Sequence, residues 1–168
     1  MHVWRAPADR EGWALRAVLA RYLDEQPARI ELRAGAHGKP ALADPSSPLR
    51  FNLSHSGGLA LVAVTLDREV GIDIERIRPR RDLEALAERA LDPAAAATVR
   101  ATAPAERLDA FYRAWTHREA TAKCLGTGLG APLPPTPSAV TTLDAGPGYA
   151  ATLAVEGDET PVLRRFAL

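Results

Sequence analysis

The chain is poor in the residues that would place it in several common classes. Its 168 residues include one cysteine, Cys124, so no disulfide can close within the chain and a disulfide-stapled secreted fold is excluded. A lone thiol also suits a reducing compartment. Neither sign of charge is in excess: 21 Lys and Arg face 21 Asp and Glu, and nothing in that balance calls for nucleic acid. No apolar run approaches the roughly 20 residues that cross a bilayer. The start, Met1-His2-Val3-Trp4-Arg5, lacks a charged segment followed by an apolar one. The expectation is a cytoplasmic protein with no membrane contact. What remains, 46% hydrophobic and 25% charged residues, describes an ordinary globule. Its length allows one domain with a substantial core, or two small halves sharing one.

Two runs carry the chemistry. In Val70-Gly71-Ile72-Asp73-Ile74-Glu75 apolar and acidic residues alternate, so on a strand Ile72 and Ile74 face a core while Asp73 and Glu75 share the other face. In Trp115 to Lys123 the residues Trp115, Glu119 and Lys123 fall on one stripe of a helix. Taken singly, the first run also fits any half-exposed strand and the second an ordinary surface ion pair. Together they describe three carboxylates that would converge if strand and helix meet. Desolvated and unpaired, such groups cost several kcal/mol per ion, so a cation is expected among them. Oxygen ligands without a Cys or His cluster suit Mg2+ or Mn2+ better than zinc.

Along the chain, helical spacing over about residues 9–25 (Trp13, Leu15, Val18, Leu19, Tyr22) predicts an amphipathic helix that stops before Pro27. Ile30 to Arg33, Phe51 to Leu53, Leu59 to Thr65 and Gly71 to Glu75 read as strands, the last three as a meander. Asp82 is a candidate N-cap for a helix over Leu83 to Leu91, and a short Ala-rich helix follows. Pro104 opens a long helix that reaches Lys123 and ends at Gly126. Val140 to Leu143, Tyr149 to Val155 and Val162 to Phe166 alternate again. Helix followed by strands thus occurs twice, which predicts an α+β fold of two similar halves, 1–77 and 78–168, forming one unit.

Four ordered motifs resemble the 4'-phosphopantetheinyl transferases of the surfactin-synthetase type. They are Gly38-Lys39-Pro40-Ala41-Leu42, Phe51-Asn52-Leu53-Ser54-His55-Ser56-Gly57, Gly71-Ile72-Asp73-Ile74-Glu75 and Trp115 to Lys123. The family's lysine just before the motif glutamate is Arg118 here. The resemblance implies a pseudo-twofold pair of α+β subdomains with the active site in the cleft between them. It also implies transfer of the phosphopantetheine arm of coenzyme A to a serine of an acyl or peptidyl carrier protein, with release of adenosine 3',5'-bisphosphate. By the same resemblance Asp73, Glu75 and Glu119 ligate Mg2+ or Mn2+. Glu119, directly or through a water on the metal, is the candidate base, and Lys123 either assists it or contacts a phosphate. Lys39, Ser54 and His55 are the expected coenzyme A contacts, with Arg16 on the first helix a further candidate. The long segment before Gly71 favours the monomeric form over the trimeric one.

Two further features have simpler explanations. The arginines at 76, 78, 80 and 81 could dock an acidic carrier, but a run of solvated arginines in a linker is the better account. Pro132-Leu133-Pro134-Pro135-Thr136-Pro137 reads as an extended connector. Two other functions stay open beside transfer: a non-catalytic relative that binds coenzyme A or a carrier, and a metal-dependent diphosphate hydrolase. The presence of all three acids and Lys123 favours catalysis.

Overall fold

Strands whose residues alternate in character have two usable faces, and the architecture follows from what each face buries. In a computed structural model, which describes residues 1–8, 11–128 and 138–168, the elements are β1 (His2–Pro7), α1 (Glu11–Leu23), β2 (Leu32–Ala34), β3 (Pro40–Leu42), β4 (Leu49–Ser56), β5 (Leu59–Leu66) and β6 (Val70–Arg76). The chain continues with α2 (Leu83–Ala90), α3 (Pro93–Ala101), α4 (Arg107–Leu125), β7 (Ser138–Leu143), β8 (Tyr149–Glu156) and β9 (Arg164–Ala167). The fold is α+β. The proline-rich stretch of the connector lies outside the described residues.

One sheet has the order β4-β5-β1-β9, with β1 antiparallel to β5 and parallel to β9. The other, β6-β8-β7, is antiparallel throughout, and β2 and β3 form a separate small hairpin. The inner faces share one core: Leu59, Leu61 and Ala63 of β5 with Ile72 and Ile74 of β6 and Leu153 of β8. Ile72 and Ile74 are fully buried, which contributes about 1.5–3 kcal/mol each. On the outer face of the first sheet, Leu15, Val18 and Leu19 of α1 pack with Phe51, Val62 and Val64. On the outer face of the second, Phe111 and Tyr112 of α4 join Ala87 of α2 and Val99 of α3. The layers run helix, sheet, sheet, helix.

Several expectations need correction. The strands over 51–75 do not form one meander: β4 and β5 pair, but β6 pairs with β8. Residue 77 therefore does not separate the sheets, since β6 belongs to the second and β9 to the first. Trp13 is 54% exposed. It lies two residues, about 200° of helix, from Leu15, which puts it opposite the buried stripe. Asp82 makes no side-chain cap, whereas Asp92 caps α3 by accepting from the Ala94 and Ala95 N–H groups. The long helix begins at Arg107, beyond Pro104, and ends as expected at Gly126 in the left-handed conformation (φ 65°). Among the described residues no helix is long and apolar enough to cross a membrane.

Candidate functional site

Gly71 sets the geometry. A Cβ built there falls closer than 3.0 Å to the Ala120 carbonyl oxygen and the Cys124 backbone nitrogen, so α4 crosses β6 backbone to backbone. Ala120 and Cys124 of α4, one turn apart, lie against Ala154, which is Gly71's partner on β8. One step along, the Thr116 and Thr152 hydroxyls meet at 2.9 Å, which fixes the helix lengthwise. Asp73 and Glu75 follow Gly71 on the same strand face and are carried to the helix that holds Glu119 and Lys123. The glycine of the Gly-x-Asp-x-Glu motif is thus the contact that brings the two motifs together.

Asp73 is 3% exposed and Glu119 is 7% exposed. The Lys123 ammonium lies between them, 2.6 Å from Asp73 Oδ1 and 3.8 Å from Glu119 Oε2. Ser54 donates to the same Asp73 oxygen at 2.8 Å, while Asp73 Oδ2 is buried with no hydrogen-bond partner. Glu75, half-buried at the end of β6, accepts from the Ser56 hydroxyl at 2.9 Å. Burial raises the Glu119 carboxyl to a pKa of about 7; Lys123 opposes the shift, Asp73 and Glu75 add to it, and Arg118 opposes it. A carboxyl held protonated near neutrality mainly by burial, beside an orphaned carboxylate oxygen, marks desolvated acids whose ionised forms a hard cation would stabilise. Asp73, Glu75 and Glu119 are all-oxygen donors of the type that fits Mg2+ or Mn2+. Among the described residues, no three metal-binding side chains are already gathered at ligand distance, and Lys123 holds the middle of the cluster.

Beside Glu119 and Lys123 opens a cleft of about 480 Å3, walled also by His37, Lys39, Leu53 and Gly128. That volume suits a small-molecule substrate. A second cavity, of about 360 Å3, lies under the β2–β3 hairpin and shares Lys39 and Gly126 with the first; Arg33, Arg50, Glu69 and Cys124 line it. Lys39 stands at the junction, donating to Glu69 Oε2 at 2.7 Å and to the Val70 carbonyl at 2.9 Å. Glu69 also pairs with Arg50 at 3.2 Å. Burial pushes the Cys124 thiol up to a pKa of about 11, so it serves as packing.

The remaining expected contacts are not brought together. Ser54 and His55 are neighbours within β4, so their side chains leave opposite faces; Ser54 is buried and His55 exposed. Arg16 donates weakly to the Gly12 carbonyl on its own helix and lines neither cavity. The arginines at 76, 78, 80 and 81 are exposed, and the Tyr112 hydroxyl holds the Arg78 backbone. Sequence reasoning missed Ser56, Glu69 and Arg50. For Ser56 a signal existed: Asn52, Ser54 and Ser56 alternate with Leu53 and His55, the pattern of a strand with one polar face.

A family model described as the 4'-phosphopantetheinyl transferase superfamily matches residues 69–165, which contain β6, α4 and β8. Among known proteins, the chain is 41% identical over 117 residues to 4'-phosphopantetheinyl transferase HetI of Nostoc, covering 68% of this chain and 49% of that protein. It is 42% identical over 118 residues to 4'-phosphopantetheinyl transferase AcpT of Escherichia coli, covering 70% and 58%. It is 33% identical over 120 residues to a 4'-phosphopantetheinyl transferase of Bacillus subtilis, covering 71% and 51%. The chain spans about half the length of the curated relatives it matches.

Proposed function

Because the chain belongs to the 4'-phosphopantetheinyl transferase superfamily, we propose that it transfers the 4'-phosphopantetheine group of coenzyme A to a serine of an acyl or peptidyl carrier protein. The observation that carries this reading is the meeting of Asp73 and Glu119, from different elements, around one ammonium, with an unpartnered Asp73 oxygen beside them.

In this reaction the carrier's serine oxygen bonds to the phosphorus on the pantetheine side of the diphosphate. The bridging P–O bond breaks, and adenosine 3',5'-bisphosphate leaves with the electron pair. Asp73, Glu75 and Glu119 would hold Mg2+, with Mn2+ as a substitute. When bound, that ion neutralises charge building on the diphosphate. Glu119, directly or through an intervening water, takes the serine proton, and its carboxylate stands at the cleft beside Lys123. Lys123, 30% exposed and facing the cleft, turns its ammonium toward the diphosphate oxygens. Lys39 is assigned to a coenzyme A phosphate, since it borders both cavities. Arg16 and Ser54 receive no such role, because one lines neither cavity and the other's hydroxyl is occupied within the protein.

The stretch 1–77 supplies β6 and 78–168 supplies α4, so one chain furnishes the whole carboxylate set, which supports action as a monomer. Coenzyme A as substrate and a buried, unpaired thiol support a cytoplasmic setting. The test is to incubate the protein with coenzyme A, Mg2+ and a panel of apo-carrier proteins and to weigh the carriers. A phosphopantetheine mass gain is expected on at least one. No gain on any carrier would overturn transfer in favour of binding alone. Adenosine 3',5'-bisphosphate formed from coenzyme A and water without a carrier would instead mark a hydrolase.

A further inference from the structure

β4 is an edge strand of the first sheet and β6 an edge strand of the second, and no ladder joins them. Side chains do the joining. Asn52 Oδ1 accepts the Ile72 N–H at 2.8 Å, Ser54 Oγ the Ile74 N–H at 3.3 Å, and Ser56 Oγ the Arg76 N–H at 3.0 Å, so a period of two on one strand matches a period of two on the other. The two serines share a second feature that the asparagine lacks. Each passes its own proton to the carboxylate one residue before the N–H it accepts: Ser54 to Asp73 Oδ1 at 2.8 Å, Ser56 to Glu75 Oε2 at 2.9 Å.

A hydroxyl has one proton and two lone pairs. On Ser54 the lone pairs face the Ile74 N–H and the Lys123 ammonium at 3.3 Å, which leaves the proton a single direction, toward Asp73. On Ser56 the Arg76 N–H imposes the same polarity toward Glu75. Each carboxylate is therefore gripped by one oxygen, and Asp73 keeps its other, Oδ2, buried and without a partner. We propose that Ser54 and Ser56 are positioning residues that orient Asp73 and Glu75 for single-oxygen ligation of the divalent ion, and that Ser54 acts in this way rather than by touching coenzyme A. The proposal rests on the reading that Asp73 and Glu75 hold that ion. Groups that hydrogen-bond metal ligands typically change metal affinity about 10–100-fold when removed.

The test measures Mn2+ affinity of the full chain, without carrier, from the spectroscopic signal of free Mn2+, alongside the unfolding midpoint of each variant. Ser56→Ala is expected to weaken Mn2+ binding about 10–100-fold and to lower kcat with KM for coenzyme A unchanged, while Ser56→Thr restores affinity to within about threefold. Ser54→Ala is expected to behave like Ser56→Ala; if it does not fold, Ser56 carries the test, since its strand position borders the exposed Arg76. Asn52→Ala, which loses a joint between the strands but no carboxylate contact, should lower the midpoint and leave Mn2+ affinity within about twofold. Wild-type Mn2+ affinity in both serine variants, with affinity lost in Asp73→Asn, would overturn the positioning role and leave the ion assignment standing. A raised KM for coenzyme A at unchanged kcat in Ser54→Ala would overturn it too. No Mn2+ binding by the unsubstituted protein, with or without coenzyme A, would overturn the ion assignment and this proposal with it.

Discussion

Replacing Gly71 by alanine drives a methyl group into the backbone of α4. The new Cβ would lie under 3.0 Å from the Ala120 carbonyl oxygen and the Cys124 nitrogen, and at 3.0 Å from the Cys124 Cα, whereas ordinary contact begins at 3.4 Å. These are main-chain atoms of a helix, which cannot rotate aside as a flexible side chain would. Relief requires the Lys123 end of α4 to withdraw by roughly 1 Å or more, while Phe111 and Tyr112 hold the other end against α2 and α3. Overpacking of this kind costs typically about 1–3 kcal/mol, and the rigidity of the neighbours places this case near 3. For a chain of this size that lowers the melting temperature by about 6–12 °C. Glu119 and Lys123 move with the helix, and a displacement of about 1 Å at a reacting centre can cost about 100-fold in rate. Thermal unfolding and carrier loading measured on the same sample test both parts. Gly12→Ala is the control: nothing lies within 4 Å of its Cβ, so it should melt at or slightly above the wild-type temperature. Wild-type stability and turnover in Gly71→Ala would refute the close crossing, and with it the approach of Glu119 to Asp73.

Asp73→Asn should reduce carrier loading by at least about 100-fold while circular dichroism shows an intact fold; near-normal loading would remove Asp73 from the ion site. Glu119 titrates at about 7 in the fold against an ordinary 4.5, so the folded state holds its proton more tightly. The stabilisation is complete below pH 4.5 and is lost as pH rises through 7, a decline on the order of 3 kcal/mol in urea unfolding that Glu119→Gln should flatten. Tyr22 accepts the Trp4 indole N–H at 2.7 Å and hydrogen-bonds His2 Nδ1 at 2.6 Å, so Tyr22→Phe should cost about 2 kcal/mol in the same assay. Asp92→Ala removes the cap of α3 and should cost about 1 kcal/mol with carrier loading unchanged.

Faces were legible in the sequence where a period encodes them. Ile72 and Ile74 against Gly71, Asp73 and Glu75 is a period of two, and both faces are used as that period demands, one for the inter-sheet core and one for α4. The same reasoning separates Ser54 from His55: once the strand is seen to run to Ser56, adjacent residues must diverge to opposite faces. Partners across long separations were not legible. Nothing local in Val70–Arg76 says that β8 rather than β5 supplies its ladder, or that Lys39 will meet Glu69 thirty residues away. Trp13 does not share the apolar stripe of its helix, because its angle from Leu15 assigns it to solvent. The clash that makes Gly71 necessary is visible only once α4 is in place.

The candidate site lies where the two sheets fail to form a common ladder, and the two facts are connected. Main-chain pairing between β4 and β6 would satisfy the β6 N–H groups with carbonyl oxygens, which accept but cannot donate. Side chains at Asn52, Ser54 and Ser56 satisfy the same three N–H groups, and the serine hydroxyls have a proton left to give. That proton goes to the acids. A buried carboxylate such as Asp73 would otherwise face the outer helix with one ammonium as its whole compensation. Joining the sheets through hydroxyls thus does two things at once: it closes an edge that would be left unpaired, and it supplies the donors that make two adjacent acids tolerable on one strand face. The requirement also explains why the two serines of the polar period on β4 fall opposite the two acids of β6.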